Sequence, residues 1–461
     1  MKLLKIVVLS IALICSQTFA ATPAPTMPTY SGDSFVLNQN SLQSQLLRNN
    51  LELLQALYAV HDAKDQVNIA RANLLPSLNL GGLLSFSGGG FVLASIDFLV
   101  PFLVPSNWYN FYTEKNLFEA EKISYNAIQL NVYSSAVSLY FTMVADRQIQ
   151  EIYQRQYHDL QDVFEYQKQR SSVGLVPVSD LLQTQAQAQM AGVKASQLAE
   201  LNKQEIAAIR KFLSLPLEVN IRLEPGDIAN SPFEFEPLQV SIQKANTVSL
   251  ERAQIQYLVK AATLQKWSKV FSFINGASVG SRAVGTSNAG FKDMQANGSM
   301  NFGFAQFPTY ELNERRIASI KLQDLQLQQE NTRIIESTVG SLQEARRQLD
   351  LANQAELQMS EVYEIRRQDY EQGNGTLIDV LQARDQMVVA SVAKIKAQLD
   401  VNLQRTVLHR TLLTAQFGTI KGCAPTRTPP EEPGKFQKWK EKIGGKKTES
   451  HATLDEICRG K

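Results

Sequence analysis

The sequence predicts a mainly α chain with a β-barrel part. Two structural repeats each join a membrane β-hairpin to long, coiled-coil-like helices. Three observations support this. Residues 162–180 return as 361–379 at an offset of 199 with no gap, so that Val163, Glu165, Gly174 and Asp180 meet Val362, Glu364, Gly373 and Asp379. Two stretches, about 108–172 and 308–372, read as helices without interior proline. Ahead of each lies a segment in which apolar residues alternate with small or polar ones. A chain folded from two copies of one plan suits a symmetric device better than a catalyst with one asymmetric site.

Residues 1–20 read as a secretory signal peptide. Lys2 and Lys5 precede the apolar run Ile6–Ile14, and Thr18-Phe19-Ala20 supplies a small-residue exit, with cleavage expected after Ala20. Cys15 raises lipidation as an alternative, but Ile14 stands where a lipidation signal wants a small residue. Losing Lys2 and Lys5 takes two of the 46 basic residues and leaves 44, equal to the 44 acidic ones. A neutral chain gives no reason to expect nucleic acid as a partner.

The first repeat spans residues 21–213 and the second 239–420, with a Pro-rich link at 214–238. Amphipathic helices are expected at 36–73 and 239–268, each preceding a hairpin. The first hairpin pairs 77–86 with 91–102, placing Val92, Ile96, Phe98 and Val100 on one face. The second pairs 270–280 with 296–305, where Met300, Phe302 and Phe304 alternate with Ser299, Asn301 and Gly303. These two sets are the predicted lipid-facing strand residues. Four strands cannot close a membrane barrel alone, whereas several copies of the chain can share one. No stretch after residue 20 offers the ~18 uninterrupted apolar residues of a spanning helix.

In the long helices, Tyr125, Ile128, Val132, Leu139 and Met143, and then Ile335, Val339, Leu342 and Leu349, follow 3/4 spacing. These read as narrow seams rather than wide globular faces. Some 60 helical residues reach roughly 90–100 Å, a length that spans a gap. Glycine ends each long helix at Gly174 and Gly373, and Ser179 or Thr376 is expected to help start the return helices at 178–213 and 376–417. The tail, 421–461, is rich in proline and lysine, with ten basic residues against six acidic. It holds Cys423 and Cys458, which either form a disulfide or are incidental.

Nothing marks a catalytic, cofactor or metal site. The four histidines lack ligand spacing, and no GxSxG or HExxH is present. Enzymatic function is not expected.

In this order the residues resemble the TolC-type outer-membrane efflux proteins, over about residues 36–418. The most specific parts are Ala70 to Pro76, Val173-Gly174-Leu175 with Asp180, and Gly373 with Thr376 to Leu381. The resemblance implies a homotrimer forming a β-barrel in the Gram-negative outer membrane and an α-helical tunnel in the periplasm. It would serve as the exit duct of a tripartite efflux or type I secretion system. The partners implied are outer-membrane lipid, a periplasmic membrane-fusion adaptor and an inner-membrane pump, proton-driven or ABC. Carried over residue by residue, Val173, Gly174 and Leu175, with Gln372, Gly373 and Asn374, would dock the adaptor. Asp180, Tyr370, Gly375, Asp379 and Gln382 would occupy the periplasmic gate. Gly375 stands where a compared member has arginine, and Gln382 where it has a second aspartate, so a looser gate with a weaker cation bias is expected. The alternative is a periplasmic coiled-coil adaptor or scaffold that never enters the membrane.

Overall fold

The computed structural model describes residues 33–74, 104–174, 176–272 and 306–420. The signal segment 1–20, the strand residues Val92, Ile96, Phe98, Val100, Met300, Phe302 and Phe304, the corner residue Leu175, and Cys423 and Cys458 with their tail lie outside the described residues.

The chain opens with strand β1, Ser34–Leu37, followed by helices α1, Gln39–Asn49, and α2, Leu51–Ala72. The long helix α3, Pro105–Ser172, turns into α4, Val178–Leu213. The link then contributes strand β2, Asn220–Leu223, and one 3₁₀ turn, Pro232–Glu234. The second repeat runs through α5, Leu238–Val248, α6, Leu250–Val270, the long α7, Gln306–Glu371, α8, Leu377–Leu412, and the short α9, Ala415–Thr419.

The 199-residue offset governs far more than the corners. It maps α1 onto α5 and α4 onto α8 at both ends, and the last residue of α3 onto that of α7. It also maps Ser214 onto Leu413, the two left-handed residues that end the return helices, at φ 50° and 51°. The repeats part company at the strands. The counterpart of β1 lies at the 3₁₀ turn, and β1 pairs instead with β2, in parallel, from Ser34–Asn220 to Leu37–Leu223.

Several sequence expectations need correction. The helix expected over 36–73 begins as strand and breaks at Asn50, whose side chain caps α2 by accepting from Leu53 N–H at 3.0 Å. Its counterpart Ser249 breaks the 239–268 helix in the same way, accepting from Arg252 N–H at 3.3 Å. The strand expected from residue 270 starts too early, since α6 continues to Val270 and Phe271–Ser272 form a further 3₁₀ turn. The 376–417 helix stops at Leu412.

At 68 residues, α3 is about 100 Å long. Its central part is no narrow seam, because α2, α4, α6 and α8 all pack along it. Tyr125, Tyr133, Tyr140 and Phe141 are each at most 2 % exposed. The buried tyrosine hydroxyls find partners, as such groups must. Tyr140 donates to the Glu224 carbonyl at 2.6 Å, Tyr133 bonds the Gln416 amide oxygen, and Tyr125 accepts from Gln129 at 3.2 Å. The bonds of Tyr140 and Tyr133 fasten the link and α9 to the middle of α3. By contrast, α7 buries a thin line that includes Ile335, Leu342 and Ala345, and leaves Leu322, Leu351, Leu357 and Ile365 exposed.

The link is strapped to the second repeat by charge. Glu234, fully buried, accepts from Ser231 N–H at 2.7 Å and Arg405 Nε at 3.0 Å, and pairs with Arg346. Asp227 accepts from Gln398 and Asn402, each at 3.0 Å.

Candidate functional site at the helix corners

Each long helix ends in a glycine that must take the left-handed conformation: Gly174 at φ +77° and Gly373 at φ +80°. A Cβ at either would meet nothing within 4 Å, so the backbone angle alone demands glycine. The second corner is a complete Schellman cap: Gly373 N–H donates to the Tyr370 carbonyl at 3.1 Å and Asn374 N–H to that of Asp369 at 2.8 Å. At the first corner Gly174 N–H donates to the Ser171 carbonyl at 3.0 Å.

The starts of the return helices differ. Thr376 caps α8 in a capping box: its Oγ1 accepts from Asp379 N–H at 3.3 Å, while Asp379 accepts from Thr376 N–H at 3.3 Å and Thr376 Oγ1 at 2.7 Å. These bonds, with a smaller contribution from Arg366, hold the exposed Asp379 carboxyl below the usual range. In α4 the cap position is Pro177, which has no capping side chain. Ser179, expected to help start that helix, lies inside its first turn and donates to the Asp180 carboxylate at 3.1 Å.

The corner surfaces also differ. Val173 is 69 % exposed and Val178 62 %, giving the first corner an apolar tip. Gln372, Gly373 and Asn374 give the second an exposed polar one. Gly375 is half-buried, and a Cβ there would lie 3.3 Å from both the Asp369 Cβ and the Tyr370 nitrogen. Gln382 is exposed on α8.

Tyr370 is the predicted gate residue most tied into the structure. It packs beside Leu160, Ala188, Leu377 and Leu381, and its hydroxyl accepts from Gln167 Nε2 on α3 at 2.6 Å. Further up, Arg384 of α8 pairs with Asp159 of α3 and donates to Tyr363 Oη at 2.8 Å. Gln156 Nε2 donates to Asp385 Oδ1 at 2.8 Å. Three rungs thus join the first repeat to the second near the corners. Gln156, Asp159, Gln167, Arg384 and Asp385 were not singled out from sequence. Polar residues on a long exposed-looking helix carry no local sign of a partner 203 or 229 positions away. Asp180, Asp379 and Gln382 are not among the rungs.

Residues 42–214 match the model of the outer membrane efflux protein family. No curated protein matches the chain. Among solved structures, a membrane protein from Pseudomonas aeruginosa is 15 % identical, with 86 % of this chain and 96 % of that chain covered and a TM-score of 0.62. The CmeC outer membrane channel of Campylobacter jejuni is 15 % identical, with 83 % and 88 % covered and a TM-score of 0.59. The outer membrane protein VceC of Vibrio cholerae is 14 % identical, with 81 % and 95 % covered and a TM-score of 0.61. The match to the efflux family model thus covers most of the first repeat, and the chain shares its fold with these solved structures over 81–86 % of its length.

Proposed function

We propose that this chain is the outer-membrane exit duct of a tripartite efflux or type I secretion system, conducting solutes passively from adaptor and pump to the exterior. The observation that carries this reading is the pair of 68- and 66-residue helices, each long enough to cross a periplasmic gap, within a chain whose first repeat matches the efflux family. A duct of this kind needs no catalytic group. The alternative of an adaptor or scaffold outside the membrane is not favoured by that match.

In this reading three copies assemble. The exposed apolar residues Leu351, Leu357 and Ile365 on α7, with Met190 and Val193 on α4, supply the faces that neighbouring copies cover. Three copies of the alternating segments 77–102 and 270–305 contribute twelve strands to one barrel, with its apolar face to lipid. The corners form the periplasmic mouth, with Val173 and Gly174 on the adaptor-docking side. The rungs Gln167–Tyr370, Asp159–Arg384 and Gln156–Asp385 hold the second repeat's corner against the first, so closure is a property of one chain as well as of the ring. Asp379 places a carboxylate ring near the mouth, favouring cations electrostatically.

Conductance of the purified chain in planar bilayers tests the function. Discrete, cation-preferring channels are expected. A chain that stays in the soluble periplasmic fraction and forms no channels would overturn the reading.

A further inference from the structure

A cavity of about 260 Å³ opens between the middle of α3, the link and α8. Phe141, Val144 and Leu399 form its apolar side, and Asp227, Gln398 and Asn402 its polar side. The chain's own bonds leave that polar side incomplete. Gln398 Nε2 and Asn402 Nδ2 both donate to Asp227 Oδ1 at 3.0 Å, so two amides are spent on one carboxylate oxygen. Asn402 is only 4 % exposed, and its Oδ1 is buried with no hydrogen-bond partner among the described residues. Burying an acceptor without a donor is costly. Asp227 forms no ion pair among the described residues, so the group that completes this site is a cationic donor. The lining elements all belong to one chain, and assembly with further copies can only deepen the burial of that oxygen.

A lysine side chain has the matching form, a four-carbon stem that packs on apolar walls and an ammonium with three donors. Arg346 and Arg405, which strap the link, are committed to Glu234. The sequence continues past Ile420 as residues 421–461, and 435–447 hold six lysines and one acidic residue, Glu441. The link has the opposite balance: Glu218, Glu224, Asp227, Glu234 and Glu236 against Arg222 alone. The tail also starts within reach. Ile420 is buried in the hydrophobic cluster that holds Phe141 and Ile228, with Val144 and Leu399 packed against it. Phe417 packs on Tyr133, which lies roughly 17 Å along α3 from Val144. Residues 421–434 can span up to roughly 46 Å.

We propose that this cavity receives a lysine of segment 435–447 from the same chain, its ammonium donating to Asp227 and to Asn402 Oδ1 and its stem lying on Phe141 and Leu399. The tail then closes over the link and adds to its hold on α3 and α8. This docking belongs to the single chain and holds whether or not the duct conducts.

The full-length, detergent-solubilised chain is treated with a water-soluble carbodiimide, which joins carboxylates to amines in contact without a spacer. Peptide mass spectrometry of the one-chain band then locates the junctions. In separate samples, trypsin cleavage after the lysines of 435–447 is timed in the native chain and in Asp227→Asn, which keeps an oxygen for both amides. The expected results are a junction between Asp227 and a lysine of 435–447 within one chain mass, and cleavage about tenfold faster in Asp227→Asn. Both are required. Equal cleavage rates overturn the docking and leave the cavity to water. A missing junction overturns it as well. A junction to a lysine outside the tail, or one found only in a two-chain band, overturns it by showing that another segment or a neighbouring copy fills the cavity.

Discussion

Gln167 of the first long helix donates its amide to the hydroxyl of Tyr370, 203 residues later, at 2.6 Å. Gln167 is fully buried, so the bond lies out of water and sets where the second corner sits against the first helix. Its other amide atom, Oε1, has no hydrogen-bond partner among the described residues, leaving Tyr370 as the amide's anchor.

Removing the Tyr370 hydroxyl is therefore expected to loosen the corner without opening a large cavity. A buried neutral hydrogen bond contributes about 1 kcal/mol, so Tyr370→Phe should shift the open-to-closed ratio about fivefold towards open. Single-channel recordings read this directly. Arg384→Ala should act in the same direction, and the double variant should show whether the rungs act independently. A Tyr370→Phe channel with unchanged open probability contradicts a gating role for the bond.

Asp379 has one role in the fold and a second in the proposed duct, and the two separate by measurement. Its capping box stabilises the start of α8, and in the proposed duct its carboxylate would favour cations. Asp379→Asn is expected to lower the cation-to-anion permeability ratio. Because its carboxyl is held below the usual range, the cation preference of the native chain should persist as pH falls through that range and disappear only beneath it. Unchanged selectivity in Asp379→Asn would place this residue away from the conducting path.

Both of these residues sit beside features that were legible in sequence, and the contrast with what was not is physical. The corners were legible because a left-handed residue at a helix end selects glycine wherever it occurs, so Gly174 and Gly373 announce themselves in pairs. The breaks at Asn50 and Ser249 carried a fainter sign, two cap-forming residue types one repeat apart, inside stretches whose apolar periodicity hardly falters. The β1–β2 pair was illegible: four-residue strands form only because Phe35 and Leu37 have the middle of α3 to bury against. The rungs belong to the same class, since their partners lie more than 200 residues apart in the chain and only the tertiary fold brings them together.

Glu205 gives the molecule a pH-dependent weakness. Burial, then the hydrogen bond with Asp146 and that residue's charge, push its carboxyl up to about 8. A folded-state value raised above the unfolded one means that stability is fullest below the unfolded carboxylate range. Stability then falls as pH rises towards 8. Glu205→Gln keeps the shape and removes the titration. Its unfolding temperature should exceed that of the native chain at pH 8, with the difference shrinking by pH 5. Equal differences at both pH values would show that Glu205 holds no extra proton.

Glu234 is the opposite case, a buried carboxylate satisfied by two arginines. Glu234→Ala leaves Arg405, only 12 % exposed, without its anion, and breaking such a pair costs about 3–5 kcal/mol. The link should then detach locally, with faster hydrogen exchange across residues 225–237. Native-like protection there would mean that Asp227 with its amide partners holds the link unaided.

The central claim is that one chain supplies a third of a continuous duct. The mass of the detergent-solubilised protein, measured by light scattering with the detergent contribution subtracted, tests it most directly. Three chain masses in one stable particle is the predicted result. A particle of a single chain mass, with the apolar residues of α4 and α7 left uncovered, would contradict it.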